Sequence, residues 1–193
     1  IRVEVRVDTD NLEGVVRSMA FMPDGALLLA AGSSLQILQR GSDQPHKVEG
    51  VPPGIINCVA VHPDFRRNGW IYLTFAEPSG EDNMLTIVRG RIRNERWIDQ
   101  QTIYRAPPKF FSTAEAHYGA RIAFDREYLF FGIGDRATQN FAQDLSNPFG
   151  KIHRIFIDGG VPPDNPFVGR ADALPTIWSY GNRNPECVAV EPR

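Results

Sequence analysis

The chain has 193 residues, 42% hydrophobic and 23% charged, with 21 Lys and Arg against 23 Asp and Glu for a net charge of -2. That balance excludes the basic footprint of a nucleic-acid partner and a polybasic membrane patch, and no apolar run approaches the ~20 residues of a membrane span. With 17 Gly and 15 Pro, the composition is that of a globular, turn-rich chain, read as one domain over residues 1–193.

The sequence opens on Ile1 rather than Met and carries no n-region, h-region and cleavage site there. Both ends are expected to be cut from something longer. Two cysteines, Cys58 and Cys187, make no disulfide framework and have no zinc spacing; each precedes a Val-Ala-Val run and is expected in the core.

Apolar runs are short, rich in Val, Ile, Leu and Phe, and bounded by Gly, Pro, Asp or Asn, which predicts strands rather than helices. They recur as hairpins. SMAFMPDGALLLAAG (18–32) is the first, CVAVHPDFRRNGWIYLTFAEP (58–78) the second and ARIAFDREYLFFGIGD (120–135) the third. CVAVEPR (187–193) begins a fourth. Further strands are predicted at Ser34–Leu38, Thr86–Ile92 and Lys151–Ile157, each an outer strand of its unit. Units of this size, each holding a few strands, predict propeller blades in preference to a sandwich. Three blades do not close a ring, so the fold expected is an all-β, six-bladed β-propeller of which this chain supplies about three blades.

The stretch HYGARIAFDREYLFFGIGD (117–135) carries the sharpest chemical signal. A hairpin folded about Arg126 sets His117 opposite Asp135, an imidazole facing a carboxylate. That is what a general base and its orienting partner need, and a bulge is expected to spoil it. WSYGNRNPECVAV (178–190) places Arg183 and Asn184 on the loop before the fourth unit, equivalent to the place of His117 before the third. His62 is expected to fix a turn, and His46 and His153 to be solvent-facing or structural. Asp158, Asp164 and Asn165 lack the regular oxygen alternation of a calcium loop and are read as turn formers. Arg89, Arg91, Arg93 and Arg96 are read as the solvated face of an outer strand.

The motifs AFMPDGALLLA, GVP, VAVHPDF, IYLTFAEP, HYGARIAFD, GIGDR, AQDLS, GKIHRI, VPPDNPF and IWSYGNRNP, in this order, resemble the first half of the soluble quinone-dependent aldose sugar dehydrogenases, the glucose/sorbosone dehydrogenase family. The resemblance implies a six-bladed propeller with pyrroloquinoline quinone (PQQ) and calcium at its centre, the calcium ligands lying outside this chain. It implies oxidation of an aldose C1 hydroxyl to a lactone, an external electron acceptor, a periplasmic or secreted location and, as an admissible assembly, a homodimer. Residue by residue, His117 matches the catalytic base, Asp135 its carboxylate partner, and Arg183 and Asn184 contacts to the quinone, whose carboxylates suit a guanidinium fork.

The chain departs from the family pattern at Pro53 (family Gln), Ala116 (Asp or His), Asn182 (His) and Glu186-Cys187 (Gln-Gly). Those departures support a rival reading, a non-catalytic propeller that binds without turning over. A metal-dependent lactonase-type propeller is a second rival; it needs several channel-facing carboxylate or amide ligands, and no such set is evident.

Overall fold

A computed structural model of the protein describes residues 14–191. Twelve strands form three four-stranded antiparallel sheets, in the orders β1-β2-β3-β4, β5-β6-β7-β8 and β9-β10-β11-β12. In each sheet, neighbours in sequence are neighbours in space, the meander that a propeller blade requires. The hairpins expected from sequence are β1 (Val16–Phe21) with β2 (Leu27–Ala31), β5 (Ile55–Val61) with β6 (Ile71–Ser79), and β9 (Ile122–Asp125) with β10 (Tyr128–Ile133). The three further predicted strands are β3 (Ser34–Leu38), β7 (Asp82–Arg93) and β11 (Lys151–Phe156), each third in its sheet. The fourth strands, β4 (His46–Lys47), β8 (Arg96–Arg105) and β12 (Ile177–Tyr180), were not expected. They are short or polar sheet edges, with exposed residues where a buried strand would alternate.

The described residues divide into two compact units, 14–73 with 89–100, and 74–88 with 101–191. In the first, β2 and β3 are buried throughout, with Leu27, Leu29 and Leu38 packed together against Val16. His62 fixes its turn as expected: Nδ1 accepts from the Asp64 N–H at 2.9 Å and lies 3.0 Å from Asn68 Nδ2. The arginine run departs from expectation in part: Arg93 and Arg96 are exposed as expected, Arg89 and Arg91 are not. β7 is an interior strand, and Arg89 and Arg91 stack over Trp70 with Cζ 4.5 and 3.8 Å from the ring centroid. An indole face attracts a guanidinium more strongly than water alone would hold it out, so these two are half-buried rather than solvated.

In the second unit, His153 is fully buried, stacked on Phe131 at 4.9 Å. Its Nε2–H donates to the Pro148 carbonyl at 3.0 Å, leaving Nδ1 to accept from the Thr176 hydroxyl at 2.9 Å. Burial pushes this imidazole down to about 4, so it is a structural, neutral histidine. Lys151 is also buried, its ammonium donating to the carbonyls of Phe141, Ala142 and Phe149, which pins the loop 139–150. Asp158 forms the turn expected of it, its Oδ1 accepting from Gly160 N at 3.2 Å, whereas the side chains of Asn165, which donates to the Arg154 and Pro175 carbonyls, and Asp164, which pairs with Arg154, tie their loop to β11.

Two expectations at the C-terminal end fail. Residues 187–191 form no strand, having no partner strand among the described residues, and the last two residues of CVAVEPR lie outside them. Cys187 is accordingly exposed, whereas Cys58, inside β5, is buried.

Candidate active site

The β9–β10 hairpin does not fold about Arg126. Tyr128 pairs with Asp125 and Phe131 with Ile122, so the turn is the two-residue Arg126-Glu127, with Arg126 left-handed at φ 56°. In that register His117 falls opposite Arg136, one residue off. Beyond the start of β9, however, Gly132 of β10 faces two residues: its carbonyl accepts from Ala120 N at 2.8 Å and its N–H donates to Arg121 O at 3.3 Å. That is a β-bulge, with Ala120 at φ 74°. It moves the register by one, and Gly134 N then donates to Tyr118 O at 3.4 Å. The bulge expected to spoil the pairing is what restores it.

His117 Nδ1 lies 2.6 Å from Asp135 Oδ1. A carboxylate only accepts, so Nδ1 carries the proton and Nε2 presents its lone pair. No described residue bonds Nε2, and the His117 side chain keeps 19% of its surface open while that of Asp135 keeps 2%. Asp135 Oδ1 also accepts from the Ala137 N–H at 2.9 Å, and its own N–H donates to Arg183 O at 2.7 Å. The one side chain thus closes an Asx turn and holds the histidine.

Left-handed backbone concentrates here. His117, Ala120, Arg136 and Ala137 have φ of 51°, 74°, 54° and 62°. Each non-glycine residue held there costs of order 1 kcal/mol or more, which persists only where surrounding bonds over-determine the chain. Gly134 is the closest approach: a Cβ on it would meet the His117 carbonyl and would stand 2.8 Å from Asn184 Oδ1.

Asn184 joins the same cluster, its Oδ1 accepting from Gly119 N at 2.9 Å and its Nδ2 donating to Glu186 Oε1 at 2.7 Å. Arg183 is exposed, and no described side chain pairs with its guanidinium. The four residues singled out from sequence therefore come together, His117 and Asp135 by side chain, Arg183 and Asn184 through the backbone and amide that support them. Ala116 is exposed beside His117, and Pro53 belongs to the other unit.

Sequence reasoning missed Arg136. It is 3% exposed, its Cζ stands 4.1 Å over the Tyr118 ring, and its Nη2 donates to Asn83 Oδ1 at 2.6 Å and to the Ala114 carbonyl. Burial lowers its pKa from the ordinary guanidinium value. The only signal in the sequence is its place after Asp135.

A carboxylated quinone needs a cation that the protein has not already paired. Arg183 meets that requirement, and the open Nε2 of His117 meets the need for a proton acceptor; Asn184 has both ends of its amide engaged by the chain itself. Among the described residues no group of three or more His, Cys, Asp and Glu is placed to hold a metal ion, and no residue of this chain is assigned to calcium.

Three antiparallel four-stranded meander sheets, one bearing an imidazole–carboxylate pair at a bulged hairpin end, are the blades of a β-propeller, and the comparisons with known proteins agree. Residues 15–193 match the family model for glucose / sorbosone dehydrogenase, and the chain belongs to that family. It is 35% identical over 202 residues to the aldose sugar dehydrogenase YliI of Escherichia coli, covering 98% of this chain and 54% of that protein. It superposes on a solved glucose dehydrogenase with a TM-score of 0.86 at 34% identity, over 93% of this chain and 59% of that one. The PQQ-bound aldose sugar dehydrogenase of Streptomyces coelicolor matches at 0.72 and 27% identity, over 90% and 53%. The fold is thus part of a six-bladed β-propeller, about three blades of it. The chain spans about half the length of the relatives it matches.

Proposed function

We propose that the protein oxidises the C1 hydroxyl of an aldose to a lactone, with PQQ as the electron acceptor and His117 as the base. The observation that carries this reading is the 2.6 Å His117–Asp135 hydrogen bond, which fixes one tautomer and leaves Nε2 open. The family and a PQQ-bound relative support the sugar and the quinone.

PQQ, when bound, supplies the electrophilic centre that takes a hydride from C1. Hydride departure requires the C1 hydroxyl to lose its proton, and His117 Nε2 takes it. Asp135 holds the imidazole by Nδ1–H and favours the imidazolium as it forms, without itself being protonated. Its second bond, from Ala137 N, keeps the carboxylate from swinging away. Arg183 would hold a carboxylate of the quinone, and Asn184, whose amide donor rests on the 60% exposed Glu186 side chain, would give a second contact on releasing that partner. Calcium is expected from residues beyond this chain. The substrate is a small sugar and the electrons pass to an external acceptor, in the periplasm or outside the cell; no helix of the described residues is long and apolar enough to cross a membrane.

Full-length apo-protein given PQQ and calcium should reduce a dye in the presence of an aldose. A protein that binds no quinone at micromolar concentration would refute the reading and leave the binding module, to which the engaged Asn184 amide and the apolar Ala116 belong.

A further inference from the structure

The segment that carries His117 is tied down on both sides of it by one cluster. Asn83, on β7, pairs by backbone with Ser112, its N–H donating to Ser112 O at 2.8 Å and its carbonyl accepting from Ser112 N at 3.2 Å. Its side chain donates by Nδ2 to Ala114 O at 3.3 Å. Its Oδ1 accepts from the Tyr118 hydroxyl at 2.8 Å and from Arg136 Nη2 at 2.6 Å. Arg136 Nη2 also donates to Ala114 O, and its Cζ stands 4.1 Å over the Tyr118 ring. Residues 112, 114 and 118 are held, and between the last two lie Glu115, Ala116 and His117.

Arg136 is covalently next to Asp135. The same residue therefore anchors the strap that bears the imidazole and the strand end that bears its carboxylate. It does so at a standing cost, for Nε and Nη1 are buried and have no partner among the described residues. A buried, incompletely satisfied cation is a poor choice for stability alone, since an apolar side chain of similar volume fills such a place more cheaply. Lysine is not equivalent, because its single nitrogen cannot sit where Nη2 serves both acceptors and also stand over the Tyr118 ring, as the Arg136 Cζ does at 4.1 Å.

We propose that Arg136, working through Asn83 and Tyr118, is a positioning residue that sets His117 in its left-handed conformation with Nδ1 on Asp135. This rests on the reading of His117 as the base.

The test uses the full-length protein loaded with PQQ and calcium, with two variants, Arg136→Met and Asn83→Ala. Two readouts are taken on each folded variant: steady-state kinetics with an aldose, and the strongly deshielded Nδ1 proton resonance of the His117–Asp135 hydrogen bond, assigned by its loss in His117→Gln. Expected are a 10- to 100-fold fall in kcat with aldose KM within threefold of the parent, and loss or broadening of that resonance. Arg136→Lys gives the same losses. Should Arg136→Met not fold, Asn83→Ala decides the matter, because it removes the shared acceptor and leaves the guanidinium in place. A folded variant that keeps the resonance and a kcat within threefold of the parent overturns the proposal, as a merely structural arginine would lower the melting temperature alone. If the parent holds the resonance but oxidises no aldose, the functional reading falls, and the resonance in the variants decides the positioning role by the same criterion.

Discussion

Gly134→Ala tests the packing on which the site depends. Gly134 lacks a positive φ, so alanine is acceptable to its backbone, and space alone is at issue. A Cβ there would stand 2.7 Å from the carbonyl carbon of His117, with the oxygen nearer still, where ordinary contact begins at 3.4 Å. Relieving the carbon contact alone takes about 0.7 Å and the nearer oxygen demands more, so the His117 peptide must retreat, or the end of β10 move away, by roughly 1 Å. The same Cβ presses on Asn184 Oδ1, the acceptor for Gly119 N, so the neighbouring anchor yields too. Misplacement of a catalytic group by ~1 Å costs about 10²-fold in rate, so a fall in kcat of roughly 30- to 100-fold is expected. Dye-linked turnover of the full-length variant measures it, with circular dichroism to establish that the sheets remain. A folded Gly134→Ala protein with kcat within threefold of the parent would refute the reasoning.

Asp135→Asn should keep the shape and lose the chemistry, since an amide imposes no tautomer on His117; a fall of roughly 10³- to 10⁴-fold in kcat with unchanged quinone affinity is expected, read by turnover and quinone titration. Lys151→Met removes three hydrogen bonds from an ammonium to buried carbonyls and should cost roughly 3 kcal/mol, read as a lower urea midpoint. His153 sets an acid limit on stability. Its folded-state value of about 4 lies below the ordinary 6.5, so the unfolded chain binds more protons between the two. The contribution is fully present above pH 6.5 and is lost as pH falls through about 4, amounting to about 3 kcal/mol. His153→Leu should flatten the urea midpoint's dependence on pH over that window; an unchanged slope would contradict it.

Most strands legible from sequence have buried residues, because burial is what imposes an apolar pattern; β1 and β9, with none fully buried, were legible through the turns that join them to β2 and β10. β4, β8 and β12 are edges with little to bury, and nothing in HK or RWIDQQTIYR marks them. The meeting of His117 with Asp135 was inferred from a midpoint symmetry that the turn does not have. The turn shifts the register by one residue and the Ala120 bulge shifts it back, and neither was visible, since Ala has no sequence preference for φ 74°. Arg136 escaped notice for a different reason. Its burial depends on Asn83, 53 residues earlier, and on Tyr118, and a charged residue after a strand reads as solvated until those partners are in place. Arg89 and Arg91 were misread in the same way, their Trp70 platform lying in another strand's approach.

The most direct test of the account is the turnover of His117→Gln in the full-length protein, loaded with PQQ and calcium and titrated with quinone alongside the parent. Glutamine keeps a hydrogen-bonding side chain but has no basic nitrogen to take the C1 hydroxyl proton. The account predicts that the variant binds quinone as the parent does and loses at least ~10³-fold in kcat, the upper range of general-base contributions. A His117→Gln protein that oxidises aldose within tenfold of the parent would contradict it.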